Sequence, residues 1–106
     1  MSLSTHVLDA ANGLPAAGVA LTLSDASGEV IATGVTDADG RWRTPEGIPA
    51  AGDHRLHFAI GEYQESLGRE VFHPEAVIAF RVSDPTAHLH VPLLLSPYAY
   101  STYRGS

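Results

Sequence analysis

Apolar side chains in this chain recur at every second residue, in short runs, and each run is stopped by glycine, proline, asparagine, aspartate or serine. A period of two puts alternate side chains on opposite faces of an extended backbone, so such runs bury one face only as strands of a sheet. LSTHVLD (3–9) is the first, and NGLPAAG follows it as a loop. In VALTLSD (19–25), Val19, Leu21 and Leu23 face one way, and Ala20, Thr22 and Ser24 the other. ASG then turns the chain into EVIATGVT, which completes a hairpin. DADG (37–40) is a second tight turn, rich in residues that tolerate positive φ, and RWRT is a short strand ended by Pro45. In HRLHFAI (54–60), Leu56, Phe58 and Ile60 oppose Arg55, His57 and Ala59; in AVIAFRV (76–82), Ile78, Phe80 and Val82 form the buried set. AHLHVPLLL (87–95) and YAYSTYR (98–104) are the last two strands. Only GEYQESLGRE (61–70) lacks alternation and carries good helix formers, with Gly68 as its stop. The expectation is an all-β sandwich of about eight strands with one short helix, a single domain over residues 1–106.

Size and charge narrow the function classes. A chain of 106 residues buries somewhat over about 60% of its unfolded surface. Apolar surface left over is then expected at an oligomer interface. The formal net charge is −6, with six Lys and Arg. That argues against the basic footprint of nucleic-acid binding and against docking on an anionic membrane. No apolar run approaches the ~18 residues of a membrane span. The start MSLSTHVLDA has no basic n-region and no apolar h-region, so no secretory signal is expected. Cysteine is absent, which removes disulfides and thiolate chemistry. The expectation is a soluble, cytoplasmic protein.

One strand departs from simple alternation. In HLHVPLLL (88–95), Leu89, Val91, Leu93 and Leu95 line one face, while His88, His90, Pro92 and Leu94 line the other. Apolar residues on an outer face call for a cover, most naturally another subunit, which would place His88 and His90 in a subunit junction. Pro92 has no ladder N–H and belongs at an edge or a bulge. Histidine is the usual acid–base group near neutral pH. His54, His57 and His73 sit among polar residues or in a loop and read as solvated surface groups. His6 lies mid-strand on the face of Ser4 and Leu8, and alone reads as a hydrogen-bonded surface histidine. His88 and His90, two apart, project from one face. That spacing can bind a metal, but catalytic zinc takes three protein ligands and no carboxylate or cysteine is spaced to help. The third ligand would have to be His6, and no metal is assigned. Arg41 alone reads as a turn residue; a pocket for an anionic or carbonyl-rich ligand would draw on it, Arg43 or Arg104. Nucleophile elbow, P-loop and dinucleotide fingerprint are all absent.

LSTHVLDAANGLPAAGVAL resembles the amino-terminal signature of the transthyretin superfamily, and HVPLLLSPYAYSTYRGS its carboxy-terminal signature. TDADGRW, between them, fits as well. The final YRGS resembles the enzymatic branch, the 5-hydroxyisourate hydrolases, rather than the hormone carrier. Two positions depart from the pattern: Leu89, where the family more often has Tyr, and Ala99, where it usually has Gly. Leu89 is in the core-facing set and should be neutral; Ala99 would alter the tail's path if the backbone there requires glycine.

The resemblance implies a transthyretin-like (prealbumin-like) β-sandwich, assembled as a homotetramer, a dimer of dimers, with active sites between subunits in a central channel. It implies hydrolysis of 5-hydroxyisourate, the product of urate oxidation, to 2-oxo-4-hydroxy-4-carboxy-5-ureidoimidazoline, with no cofactor. By position, the site would be His6, Arg41, His90 and the stretch Tyr103, Arg104, Gly105 and Ser106. Opening the substrate's ring requires a base for water and donors for the developing oxyanion. His90 or His6 is the base, and the sequence leaves that choice open. Arg41 is the donor to substrate oxygens, and Tyr103 borders the substrate. Ser106, with a terminal carboxylate, orients a histidine or the water, and His88 is left as a supporting group. The last strand is expected to tie the tail into a sheet and bring its end to the pocket. The alternative is a transthyretin-like carrier holding a small molecule in the channel; histidines at 6 and 90, where the carrier has Lys and Thr, favour the enzyme.

Overall fold

A computed structural model describes residues 2–106. In chain order the elements are β1 (Leu3–Asp9), β2 (Leu14–Pro15), β3 (Ala20–Asp25), β4 (Val30–Val35), β5 (Arg41–Arg43), β6 (Gly52–Phe58), α1 (Ile60–Ser66), β7 (Ala76–Val82), β8 (Leu89–His90), β9 (Leu93–Leu95) and β10 (Tyr100–Thr102). One sheet is antiparallel throughout, in the order β4-β3-β6-β7. The other is built around β1. Strands β8 and β9 run parallel to one side of it, and β2 and β5 antiparallel to the other; β10 closes the sheet on β9.

Alternation explains the core. Leu3, Thr5, Val7 and Asp9 of β1 are buried, while Ser4, His6 and Leu8 between them are half-buried on the opposite face. Leu21, Leu23, Leu56 and Phe58 meet Val7, Leu93 and Leu95 in one apolar cluster, to which α1 adds Ile60 and Tyr63. Each such side chain contributes roughly 1.5–3 kcal/mol by leaving water. Thr5 is tolerated inside because its hydroxyl donates to the Val91 carbonyl at 2.6 Å.

The sandwich and its single helix are as expected, with local differences in the strands. The stretch 87–95 is two strands rather than one, because Pro92 has no N–H to continue the ladder. Its carbonyl instead accepts the Thr102 hydroxyl at 2.7 Å. The loop NGLPAAG contains a two-residue strand, β2, that pairs with Leu8 and Asp9. Ile60 opens the helix rather than ending a strand. His54 is a correction: it is 4% exposed, stacks on Phe80 with ring centroids 5.9 Å apart, and places Nδ1 3.0 Å from the Gly52 carbonyl. Its strand neighbours are polar, but the alternation that buries Leu56 and Phe58 buries residue 54 with them. His57 is half-buried rather than fully solvated, and pairs with Glu75 at 2.8 Å. His73 is half-buried rather than free in water, with Nε2 3.2 Å from the Tyr98 carbonyl and its ring edge-on to Tyr100.

Candidate active site

Three of the expected residues are brought together by strand register on β1. His6 stands opposite Arg41 of β5, and Ser4, two residues earlier on the same face, stands opposite His90 of β8. Alternation fixes the face, and the pairing on either side of β1 supplies the neighbours.

The turn before Arg41 is locally determined. Asp37 Oδ1 accepts the N–H groups of Asp39 and Arg41 at 2.9 and 3.0 Å, and the Gly40 N–H donates to the Asp37 carbonyl at 2.9 Å. Gly40 has φ +73°, and a Cβ there would lie 2.5 Å from the Val7 carbonyl oxygen, so the turn accepts only glycine at this position. The Gly40 carbonyl receives the Val7 N–H at 2.8 Å, which ties the turn to β1 beside His6. Arg41 leaves this turn exposed and without a carboxylate at salt-bridge distance among the described residues. With Ser4, Asp37 and Arg43 it lines a shallow depression of about 230 Å³.

His90 is half-buried beside Ser4. Burial pushes its pKa below the ordinary 6.5, and the charges of Arg41, His88 and His6 push the same way; a hydrogen bond at the Ser4 backbone opposes them. The ring is therefore neutral near neutral pH and able to accept a proton. Its Nδ1 lies 2.8 Å from Ser4 Oγ. The same oxygen lies 2.9 Å from Nε2 of His88, whose Nδ1 is 3.3 Å from Ser2 Oγ. The two histidines of the HLH stretch thus share a face, as their spacing requires, and meet at one serine.

The tail reaches this cluster. Tyr100, Ser101 and Thr102 pair with Leu95, Leu94 and Leu93. Beyond them the Gly105 N–H donates to the His90 carbonyl at 2.9 Å. A Cβ on Gly105 would collide with Cδ2 of His90, so the ring lies directly against the glycine. Tyr103 and Arg104 are exposed and line a second cavity of about 330 Å³, with His88, Leu89 and Phe80. They do not enter the depression that holds Arg41. Ser106 follows Gly105 and is exposed. Ala99 sits in a turn closed by the Ser96 N–H on its carbonyl, and no non-glycine among the described residues has positive φ, so the departure at 99 costs no backbone strain.

Ser4 is the residue whose role the sequence left unread. Its place on the His6 face was legible from the period of two. That its neighbour across the ladder would be His90 was not, because a parallel pairing 86 residues apart leaves no local signal. Among the described residues no group of three or more His, Cys, Asp or Glu side chains is arranged to hold a metal.

Comparison with known proteins is consistent with this geometry. The family model described as HIUase/Transthyretin matches residues 3–105. A 5-hydroxyisourate hydrolase of Caulobacter vibrioides is 50% identical over 112 residues, covering 98% of this chain and 97% of the relative. The structure of Klebsiella pneumoniae 5-hydroxyisourate hydrolase superposes with a TM-score of 0.91 at 40% identity, covering all of both chains. Sea bream transthyretin in complex with thyroxine superposes with a TM-score of 0.89 at 38% identity, over 97% of this chain and 93% of that one. Backbone similarity alone therefore does not separate hydrolase from carrier.

Proposed function

The chain belongs to the HIUase/Transthyretin family, and we propose that it hydrolyses 5-hydroxyisourate at a site built from His6, Arg41, His90 and residues 103–106. The observation that carries this reading is the convergence on one strand face of a neutral histidine, a second histidine and an unpaired arginine. Water addition to a carbonyl needs a base and an oxyanion donor, and this set supplies both.

His90 is the base. Its neutral ring takes a proton from water as the oxygen adds to a ring carbonyl carbon. Arg41 donates to the oxygen that becomes an alkoxide, and its charge is worth most where the site excludes water. Collapse of the tetrahedral intermediate breaks the ring C–N bond. The proton on His90 passes to the departing nitrogen, which regenerates the base and leaves a carboxylic acid that ionises to the carboxylate by releasing its proton to water. The product is 2-oxo-4-hydroxy-4-carboxy-5-ureidoimidazoline. His6, opposite Arg41, holds the substrate and keeps the guanidinium on the carbonyl side. Gly105 packs on the His90 ring, and Ser106 orients the water. No cofactor or metal takes part in these steps.

Tyr103 and Arg104 lie outside the depression that holds Arg41 in a single chain. We therefore assign them to the pocket of a neighbouring subunit in a homotetramer, a dimer of dimers with sites between subunits. Support comes from the exposed rings of Tyr98, Tyr100 and Tyr103 along the outermost strand and its flanks. Residues 1–106 form one such domain, and a cysteine-free chain suits a reducing cytoplasm. No helix among the described residues is long and apolar enough to cross a membrane.

The test generates 5-hydroxyisourate with urate oxidase and follows its ultraviolet decay. Purified protein should accelerate the decay, and extensive chelation should leave the rate unchanged. His90→Ala and His6→Ala should lower kcat/KM on the order of 10²–10⁴-fold, with melting temperature and oligomer little changed. Decay at the spontaneous rate in the presence of wild-type protein would sink the hydrolase reading.

A further inference from the structure

A serine hydroxyl has one hydrogen, and Ser4 Oγ lies within hydrogen-bonding distance of two imidazole nitrogens, Nδ1 of His90 at 2.8 Å and Nε2 of His88 at 2.9 Å. The oxygen can donate to only one of them and must accept from the other. The tautomers of the two histidines are therefore linked through a single proton. Either His90 carries Nδ1–H and His88 has a bare Nε2, or His88 carries Nε2–H and His90 has a bare Nδ1.

We propose that Ser4 is a positioning residue for His90: it accepts the Nδ1–H of His90, donates to Nε2 of His88, and so leaves the Nε2 of His90 bare toward the substrate. This rests on the hydrolase reading above, in which His90 is the base. The reverse arrangement would put a hydrogen on Nε2 and make His90 a donor, unable to take a proton from water. The whole chain is satisfied in the proposed direction. His88 then holds its hydrogen on Nδ1, from which it donates toward the Ser2 hydroxyl, 3.3 Å away. Gly105 packs against the Cδ2 edge of the His90 ring, where a side chain would collide with it. The charged or titratable groups facing His90 are Arg41, His88 and His6; a neutral hydroxyl can select a tautomer there without adding charge.

Two-bond ¹H–¹⁵N correlation spectra of histidine-labelled protein read the tautomer directly, with the His90 signals identified by their loss in His90→Ala. Wild type should show His90 as the Nδ1–H form. Ser4→Ala should move it toward Nε2–H, the form neutral imidazole favours in water, and lower kcat/KM about 10–100-fold, the usual cost of losing a group that orients a functional histidine. Ser4→Thr keeps the hydroxyl on a residue that suits a strand and should restore both tautomer and turnover. His88→Leu removes the acceptor, frees the Ser4 hydrogen for His90, and should shift the tautomer in the same direction as Ser4→Ala. An Nε2–H signal for His90 in wild type overturns the assignment, even if Ser4→Ala does not fold. So does a folded Ser4→Ala with wild-type turnover. A wild type that shows Nδ1–H but leaves 5-hydroxyisourate decay unaccelerated upholds the tautomer assignment and overturns the hydrolase reading instead.

Discussion

At the scale of single residues, the base we propose, His90, is a histidine held neutral. Burial and three neighbouring cationic or titratable side chains keep the His90 pKa below 6.5. Its active form is the deprotonated one, so activity is lost as pH falls through the folded-state pKa, not through the ordinary value. We expect the acid limb of kcat/KM, which reports the free enzyme, to have its midpoint below pH 6.5. Arg41→Gln removes one of the charges that depress the pKa, and should move that midpoint upward as well as reduce turnover. A pH series on both proteins checks the sign: a limb that stays put or moves down in the variant would remove His90 as the group observed. Gly105 gives a second prediction. A methyl group there collides with the His90 ring, and the glycine lies near the chain end, half-buried, with one bridge bond to the body. Gly105→Ala should therefore push the imidazole off its position and cost roughly 10²-fold in kcat/KM, as small displacements at a reacting centre do. Its melting temperature should fall by no more than about 2–4 °C, about 0.5 kcal/mol or less.

At the scale of elements, β1 does two jobs with its two faces. The outward face carries Ser4 and His6; the inward face ends in Asp9, which is fully buried. Burial alone would raise the Asp9 pKa, but hydrogen bonds from the Tyr63 hydroxyl at 2.8 Å and Arg69 Nη1 at 2.7 Å, with the Ala11 N–H and the Arg69 charge, hold it below the usual carboxylate range. Burial, with the hydrogen bond to Asp9 and its negative charge, pushes the Tyr63 hydroxyl up to about 12, against the Arg69 charge. Asp9 thus pins α1 and the segment after it to the central strand. Because its folded pKa is depressed, its stabilisation is complete above the unfolded value of about 4. It is lost as pH falls through the folded value. Asp9→Asn leaves Arg69 without its counter-charge and should cost about 2–3 kcal/mol at pH 7. Denaturant melts should show that difference shrinking below pH 4. A gap between the two proteins that persists unchanged at pH 2 would contradict the account. Elements of this kind were partly legible in the sequence. The bounds of β1 and β7 follow from alternation, as does the sharing of one face by His88 and His90. The break at Pro92 was signalled by its missing N–H, although the stretch still read as one strand. The neighbours of β1 were not legible, since nothing local says which strand lies beside Ser4. His54 misled for the converse reason: its polar neighbours suggested water, while its register with Leu56 and Phe58 decided its burial. Asp9 read as the last residue of a strand because its two partners lie 54 and 60 residues further along the chain.

At the scale of the whole molecule, the distribution of site residues is divided. Arg41 and Ser4 border one depression; Tyr103, Arg104 and His88 border another. Where Arg41 of one chain meets Arg104 only of another, catalysis requires one arginine from each of two chains, and that arrangement has a consequence no intrachain site can imitate. Arg41→Gln and Arg104→Gln should each lower turnover as pure assemblies. When the two variants are unfolded together and reassembled in equal amounts, a site receives an intact Arg41 from one chain and an intact Arg104 from the other in about a quarter of cases, by random association in a symmetric oligomer. Activity should therefore rise on mixing to about a quarter of the wild-type level. In a site built from one chain every copy carries a lesion, whatever its neighbours, and mixing returns the average of the two variants. The comparison uses only the mixed and unmixed samples at equal total protein, with sedimentation to show that the assemblies have the same size. Recovery above the average places Arg41 and Arg104 of one pocket on different subunits. A mixture no more active than the average, with exchange verified by a mass-tagged chain, would put both arginines of each site on the same chain.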